Sequence, residues 1–281
     1  MSDLTAQRRQ CYFEPPMSKA FLALTLILLS ACVAPRPTVK IALVAPFEGR
    51  LRRVGYDAFP AVRLAIREQI AVGGIGGAHV TFIAYNDEGD PQAAARIAHN
   101  VARDPEVVAV IGHLVPSTTL AALGVYTRAG LPVLVPSVPA HLVPRDPLVF
   151  RMGPGEAAPR REVKDATCAA LDATWTAAGS PFGECIADAP PVSELPAAQH
   201  ALASFTALSL GPAPGLRAIV AYDATAVLLA ALRADAQAHG MPTRAGVAEA
   251  LRRVNHDGLL GRIAFDQDNA WADAPLWVYA R

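Results

Sequence analysis

VVAVIGHLVPSTTLAALGVYTRAGLPVLVPS, residues 107–137, carries the clearest structural pattern in the chain. Val107 to Ile111 are apolar and mostly β-branched, which reads as a buried strand, and Gly112 ends it. A short loop follows. Ser117 opens a helix carrying Leu120, Ala121, Leu123, Gly124 and Tyr126, which stops at Gly130 before Pro132 leads into a second apolar strand ending at Pro136. Strand, helix and strand in this order make one parallel unit. In open parallel sheets ligands sit beyond the carboxyl ends of the strands, and the free N–H groups at a helix start attract anions. Binding is therefore expected in the loops at 112–118 and 136–141.

Working outward, the same alternation continues. Val39 to Ala45 read as a strand, Pro46-Phe47-Glu48-Gly49 as a turn, and Asp57 as the N-cap of a helix with Pro60 in its first turn and Phe59, Val62, Ile66 and Ile70 on one face. The cluster Gly73-Gly74-Ile75-Gly76-Gly77 follows a helix and precedes a strand, the reverse of a phosphate loop, so it reads as a turn. Val80 to Tyr85 form the next strand, and Asp90-Pro91 open a helix whose inward stripe is Ala94, Ile97, Ala98 and Val101. Asp87, Glu88 and Asp90 lack the spacing of a calcium loop and read as a cap plus a solvated turn. Leu148 to Arg151 supply a further short strand. Such regular alternation predicts an α/β, doubly wound parallel sheet.

Beyond Arg151 the pattern changes. Residues 152–215 are rich in Ala and Pro, with helix expected near 162–178 and 197–208 and no convincing strand. Periodicity returns in an apolar helix through Val220, Ala224, Val227, Leu228, Ala231 and Leu232, then a helix over 245–254, a strand within 258–268 and a last strand at 276–280.

The chain has 281 residues, no formal net charge and 52% hydrophobic residues, enough for one large or two small cores. Neutral balance argues against nucleic acid or an acidic surface as a partner, since those need a basic footprint. An apolar run from Ala20 to Leu29 follows Lys19 and ends in Leu29-Ser30-Ala31-Cys32. It is short for a membrane span and reads as a secretory signal over residues 1–31, with Met17 as the expected true start. Export permits disulfides. Cys11 lies in the leader, and Cys168 and Cys185 remain as one even pair, bridged or as two free thiols. No cofactor fingerprint, metal-ligand spacing or hydrolase elbow is present, so no catalytic, cofactor or metal residue is expected. His113 in the first loop has no partner visible in the sequence.

Leu-Ser-Ala-Cys resembles the bacterial lipoprotein box, which implies that Cys32 carries a lipid anchor, residues 32–38 form a tether, and the protein is held outside the cytoplasm on the cell membrane. Residues 39–150 resemble the leucine/isoleucine/valine-binding protein family, the type I periplasmic solute-binding proteins of ABC importers. The matching pieces are Pro46-Phe47-Glu48-Gly49, Gly73-Gly74-Ile75-x-Gly77, Tyr85-Asn86-Asp87-Glu88-Gly89-Asp90-Pro91, Val110-Ile111-Gly112-His113-Leu114 and Ala129-Gly130-Leu131-Pro132-Val133. Tyr222-Asp223-Ala224 and the segment from Asp257 to Asp266 match two later family motifs.

The resemblance implies two lobes around a ligand cleft, with residues 39–150 plus 216–260 as lobe one. Residues 151–215 plus 261–281 would form the crossovers and a reduced lobe two, because the interval before the Tyr-Asp-Ala helix is too short for a full sheet. It further implies Ser117, Thr118, Ser137 and Val138 as ligand-binding residues, although Pro116 stands where the family has a serine and the second loop lacks its threonine. The function implied is amino-acid binding for an ABC permease. A sensor or envelope interaction protein built on the same lobe is the alternative, favoured if lobe two has lost its grip.

Overall fold

A computed structural model describes residues 37–155, 158–168, 185–187, 189–208 and 215–280. The expected signal, Cys32 and most of the tether lie outside the described residues. Residues 37–281 form one compact unit.

Its larger sheet is wholly parallel, in the order β2-β1-β3-β4-β5, from β1 (Thr38–Ala45), β2 (His79–Asn86), β3 (Val107–Gly112), β4 (Val133–Val135) and β5 (Val149–Arg151). The register between β1 and β2 runs unbroken from Thr38 opposite His79 to Ala45 opposite Asn86. Burial on both faces explains why β3 and β4 read as continuous apolar runs rather than alternating ones. Alternate residues of β1 serve the two faces. Val39, Ile41 and Leu43 join a core formed with α1 (Arg52–Ala71), α5 (Leu216–His239) and α6 (Arg244–Arg252). Ala42 and Val44 join a second core with α2 (Pro91–Arg103) and α3 (Pro116–Arg128). The fold is therefore doubly wound, as the pattern predicts.

A smaller sheet has the order β6-β10-β7, from β6 (Arg160–Thr167), β7 (Cys185–Ala187) and β10 (Leu276–Ala280); β10 is parallel to β6 and antiparallel to β7. Among the described residues it has three strands against five in the larger sheet. Residues 160–167 correct the expectation of helix from 162 and of no strand in this region. The segment RREVKDAT has a single described buried position, Val163, and its partner β10 lies far along the chain, so neither helical nor strand periodicity is readable locally. The remainder of that expected helix lies outside the described residues. The expected second helix is α4 (Pro196–Leu208). A hairpin of β8 (Asn255–Asp257) and β9 (Arg262–Ala264) follows α6.

Asp57 is a second correction. The turn at 49–54 starts α1 early, with Arg52 N–H donating to Gly49 O at 3.3 Å and Val54 N–H to Leu51 O at 2.9 Å, so Asp57 and Pro60 fall inside the helix. The Asp57 carboxylate instead caps α5, accepting from the backbone N–H of Gly215 and from that of Ala218 at 3.2 Å. Burial pushes its pKa up against the pull of those N–H groups.

Candidate functional site

In the order β2-β1-β3, the chain leaves β1 for one neighbour and returns on its other side. The carboxyl ends of β1 and β3 therefore border a topological switch point, where open α/β sheets hold their ligands. The helices that follow these two strands, α1 and α3, both begin without a side-chain cap, at Leu51 and Val115. Three other helix starts are covered: Asp90 accepts from Ala93 N–H at 2.7 Å for α2, Thr243 from Gly246 N–H at 3.0 Å for α6, and Asp57 serves α5. At α1 the turn's own carbonyls already take the N–H groups of Arg52 and Val54, whereas those of Ser117 and Thr118 at α3, beside the crevice, favour an anionic group such as a carboxylate.

The loop after β3 is shaped by backbone crowding and by a buried polar chain. Gly112 has φ +129°, and a Cβ there would lie 2.2 Å from Val44 O, so only glycine lets β3 end against β1. His113, buried, lies 2.6 Å through Nδ1 from Asp87 Oδ2 and 3.2 Å through Nε2 from the Tyr126 hydroxyl. Burial, then the Asp87 charge, pushes the Tyr126 phenol up and keeps it protonated. A protonated phenol can give or take the bond at Nε2, while Nδ1 faces a carboxylate that only accepts, so the Nδ1–H donates to Asp87. Asp87 Oδ1 also accepts from Gly89 N–H at 2.9 Å. His113 thus has two partners, and Asp87 is a buried anchor rather than part of a solvated turn. Sequence spacing of 26 residues hides the first contact.

The expected ligand residues fall in different settings. Ser117 is exposed at the second position of α3, after Pro116, and does not cap the helix. Thr118 is buried and its hydroxyl donates back to Val115 O at 3.0 Å. Thr119, which the sequence did not single out, donates to His113 O at 3.1 Å and Val115 O at 2.8 Å and closes the loop from within.

In the loop after β4, Val138 is fully buried while the Ser137 Oγ is buried without a hydrogen-bond partner. Gly153 approaches so closely that a Cβ there would lie 2.0 Å from Val138 O. Arg151 holds the same loop, donating through Nη1 to Ala140 O at 3.2 Å and through Nη2 to Asp268 O at 2.9 Å. Cys168 and Cys185 are joined by a disulfide, with Cα atoms 5.5 Å apart. Among the described residues no group of three or more His, Cys, Asp or Glu could hold a metal ion. No helix of the described residues is long and apolar enough to cross a membrane.

Residues 38–164 match the sequence profile of the family described as periplasmic binding protein. One curated relative is the leucine-, isoleucine-, valine-, threonine- and alanine-binding protein of Pseudomonas aeruginosa, 30% identical over 124 residues, which are 44% of this chain and 33% of the relative. The chain thus spans about a third of the curated relative's length in that match. The solved branched-chain amino acid transporter substrate binding protein of Streptococcus pneumoniae, in complex with isoleucine, superposes with a TM-score of 0.68 at 16% identity, over 87% of this chain and 96% of that one. A solute binding protein of an ABC transporter from R. palustris, in complex with benzoate, superposes with a TM-score of 0.63 at 15% identity, over 83% and 90%. These similarities establish the type I binding-protein fold.

Proposed function

We propose that the protein is an extracytoplasmic solute-binding protein, anchored to the membrane through a lipid on Cys32, that delivers an amino acid or a related small carboxylate to the permease of an ABC importer. The observation that carries this reading is that α1 and α3, the helices on either side of the β1/β3 crevice, start without a side-chain cap. Ser117 and Thr118 begin one of those helices and offer backbone N–H groups to a carboxylate, with the exposed Ser117 hydroxyl beside them. The unpartnered Ser137 hydroxyl, next to Val138, offers a further hydrogen bond, which a ligand carboxylate or ammonium group would satisfy. Relatives named for leucine, isoleucine and valine binding, and the isoleucine and benzoate complexes of the same fold, support the ligand class.

Calorimetry and thermal shift against leucine, isoleucine, valine, threonine, alanine and benzoate test the proposal. A ligand at a hundred times its Kd stabilises by about 2.7 kcal/mol, a readily measured rise in Tm. Absence of any response across the panel removes the transport reading. A second sheet of three strands among the described residues favours one other reading, a sensor or envelope interaction protein that keeps the lobe without enclosing a ligand. A silent ligand panel together with a stable protein complex on size exclusion would select it.

A further inference from the structure

The outer face of α1 is rich in arginine. Its exposed positions are Arg52, Arg53, Tyr56, Arg63, Arg67, Ile70 and Ala71. At 3.6 residues per turn these fall within an arc of roughly 100° along the whole helix, a length of about 30 Å. Arg50 stands exposed in the preceding turn, near the exposed acid Glu48 and the loop that carries exposed Glu88 and Asp90. The acids of the helix itself are engaged elsewhere: Asp57 caps α5, and Glu68 accepts from the Tyr222 hydroxyl. Among the described residues none of these five arginines has a carboxylate partner. A chain with no formal net charge thus concentrates unpaired positive charge on one stripe.

Apolar side chains are set into the same stripe. Tyr56 is 61% exposed and Ile70 52%, and Val72 at the helix end is 71% exposed, the largest values among the exposed large hydrophobic residues. Arginines interspersed with an exposed aromatic and aliphatic residues, on a helix otherwise packed against the protein, match what a phospholipid interface offers. Guanidinium groups pair with phosphate oxygens in a fork, while Tyr56, Ile70 and Val72 reach the boundary below the headgroups. The face is a convex helix side, not a groove that would enclose an acidic peptide.

We propose that the Arg52–Tyr56–Arg63–Arg67–Ile70 face of α1 docks the protein on an anionic phospholipid surface. This inference is independent of any ligand in the β1/β3 crevice, so its failure and that of the proposed function are distinguishable.

The test is sedimentation of the full chain with vesicles of phosphatidylcholine alone and with phosphatidylglycerol added, at low and at 0.5 M salt. Neutral vesicles set the baseline for the apolar leader, which is common to every variant. The wild type is expected to prefer anionic vesicles and to lose the preference in high salt. Each arginine contributes roughly fivefold to partitioning, so Arg52→Gln, Arg53→Gln, Arg63→Gln and Arg67→Gln together should abolish the preference, while the same four positions as lysine retain most of it. Tyr56→Ser with Ile70→Ser should weaken binding to anionic vesicles at unchanged salt dependence. These positions are exposed, and an unchanged Tm confirms that each variant is folded. Equal binding of wild type and glutamine variant to anionic vesicles overturns the proposal. So does arginine-dependent binding to polyglutamate without vesicle preference, which would assign the face to an acidic protein.

Discussion

The two sheets of this molecule are held together by different means. The five-stranded sheet is apolar on both faces and is covered by α1, α5 and α6 on one side and α2 and α3 on the other, so hydrophobic burial suffices to define it. The three-stranded sheet has a small core of Val163, Ala187, Trp277 and Tyr279, and β6 carries Arg160, Arg161, Glu162, Lys164 and Asp165 among its eight residues. It compensates with specific ties: the Cys168–Cys185 disulfide, the Tyr279 hydroxyl donating to Ala189 O at 2.9 Å, and Arg161 lying 5.4 Å from the Trp277 ring centre. A small core leaves stability to cross-links, whereas a large one leaves it to glycines and buried caps that let elements approach. Variants that attack each kind of tie separate the two regions.

The largest effect is expected at Asp223, in the Tyr-Asp-Ala motif of α5. Its buried carboxylate accepts from Leu259 N–H at 2.7 Å and Leu260 N–H at 2.9 Å, and burial pushes its pKa up to about 7, against the pull of those two donors. A carboxyl raised on folding favours the protonated folded state. Its contribution is most favourable at pH below about 4, declines as pH rises through the window up to 7, and is constant above it. Asp223→Asn removes the titration. The wild type should therefore lose up to about 4 kcal/mol relative to the variant between pH 4 and pH 8, read by denaturant unfolding. A parallel pH dependence of the two proteins would show that Asp223 does not carry this linkage.

Gly112→Ala comes next and breaks the larger sheet at its functional end. The added Cβ meets Val44 O in a backbone conformation that alanine disfavours, at a cost of about 3 kcal/mol. Loss of Tm together with weakened ligand response is expected, since β1 and β3 border the crevice. By contrast, Cys168→Ser with Cys185→Ser removes a cross-link over 17 residues, worth up to about 3 kcal/mol in the unfolded-chain account. That loss should stay local: hydrogen exchange rises in β6, β7 and β10 and is unchanged in β1 and β3. Uniform exchange across both sheets would show that the two regions unfold as one.

The same contrast explains what was legible in the sequence. Continuous apolar strands and a 3.6-residue stripe mark local structure, so the alternation through residues 107–137 and its neighbours predicts the doubly wound sheet. β6 was unreadable because polar, two-sided exposure leaves no period and its partner is the last strand. At the site, sequence locates the loops but not the direction of their side chains. Asp87 and His113 meet across 26 residues, Asp57 serves a helix 158 residues away, and Thr119 rather than Thr118 closes the loop after β3. Each is a tertiary hydrogen bond, which local propensity does not encode.

The smallest effect on stability, and the sharpest on function, is expected at Ser137. Most buried hydroxyls repay their loss of hydration through a hydrogen bond, as Thr119 does with two carbonyls. Ser137 Oγ has none, so removing it sacrifices no protein contact and relieves an uncompensated desolvation. Ser137→Ala should leave stability within about 0.5 kcal/mol of wild type or raise it. If the hydroxyl is kept for a ligand, the same variant should weaken amino-acid binding about tenfold, one hydrogen bond to a charged group, with no change in Tm of the free protein. A drop in Tm with unchanged affinity would mean that Ser137 serves the loop after all, leaving the uncapped start of α3 to carry the ligand alone.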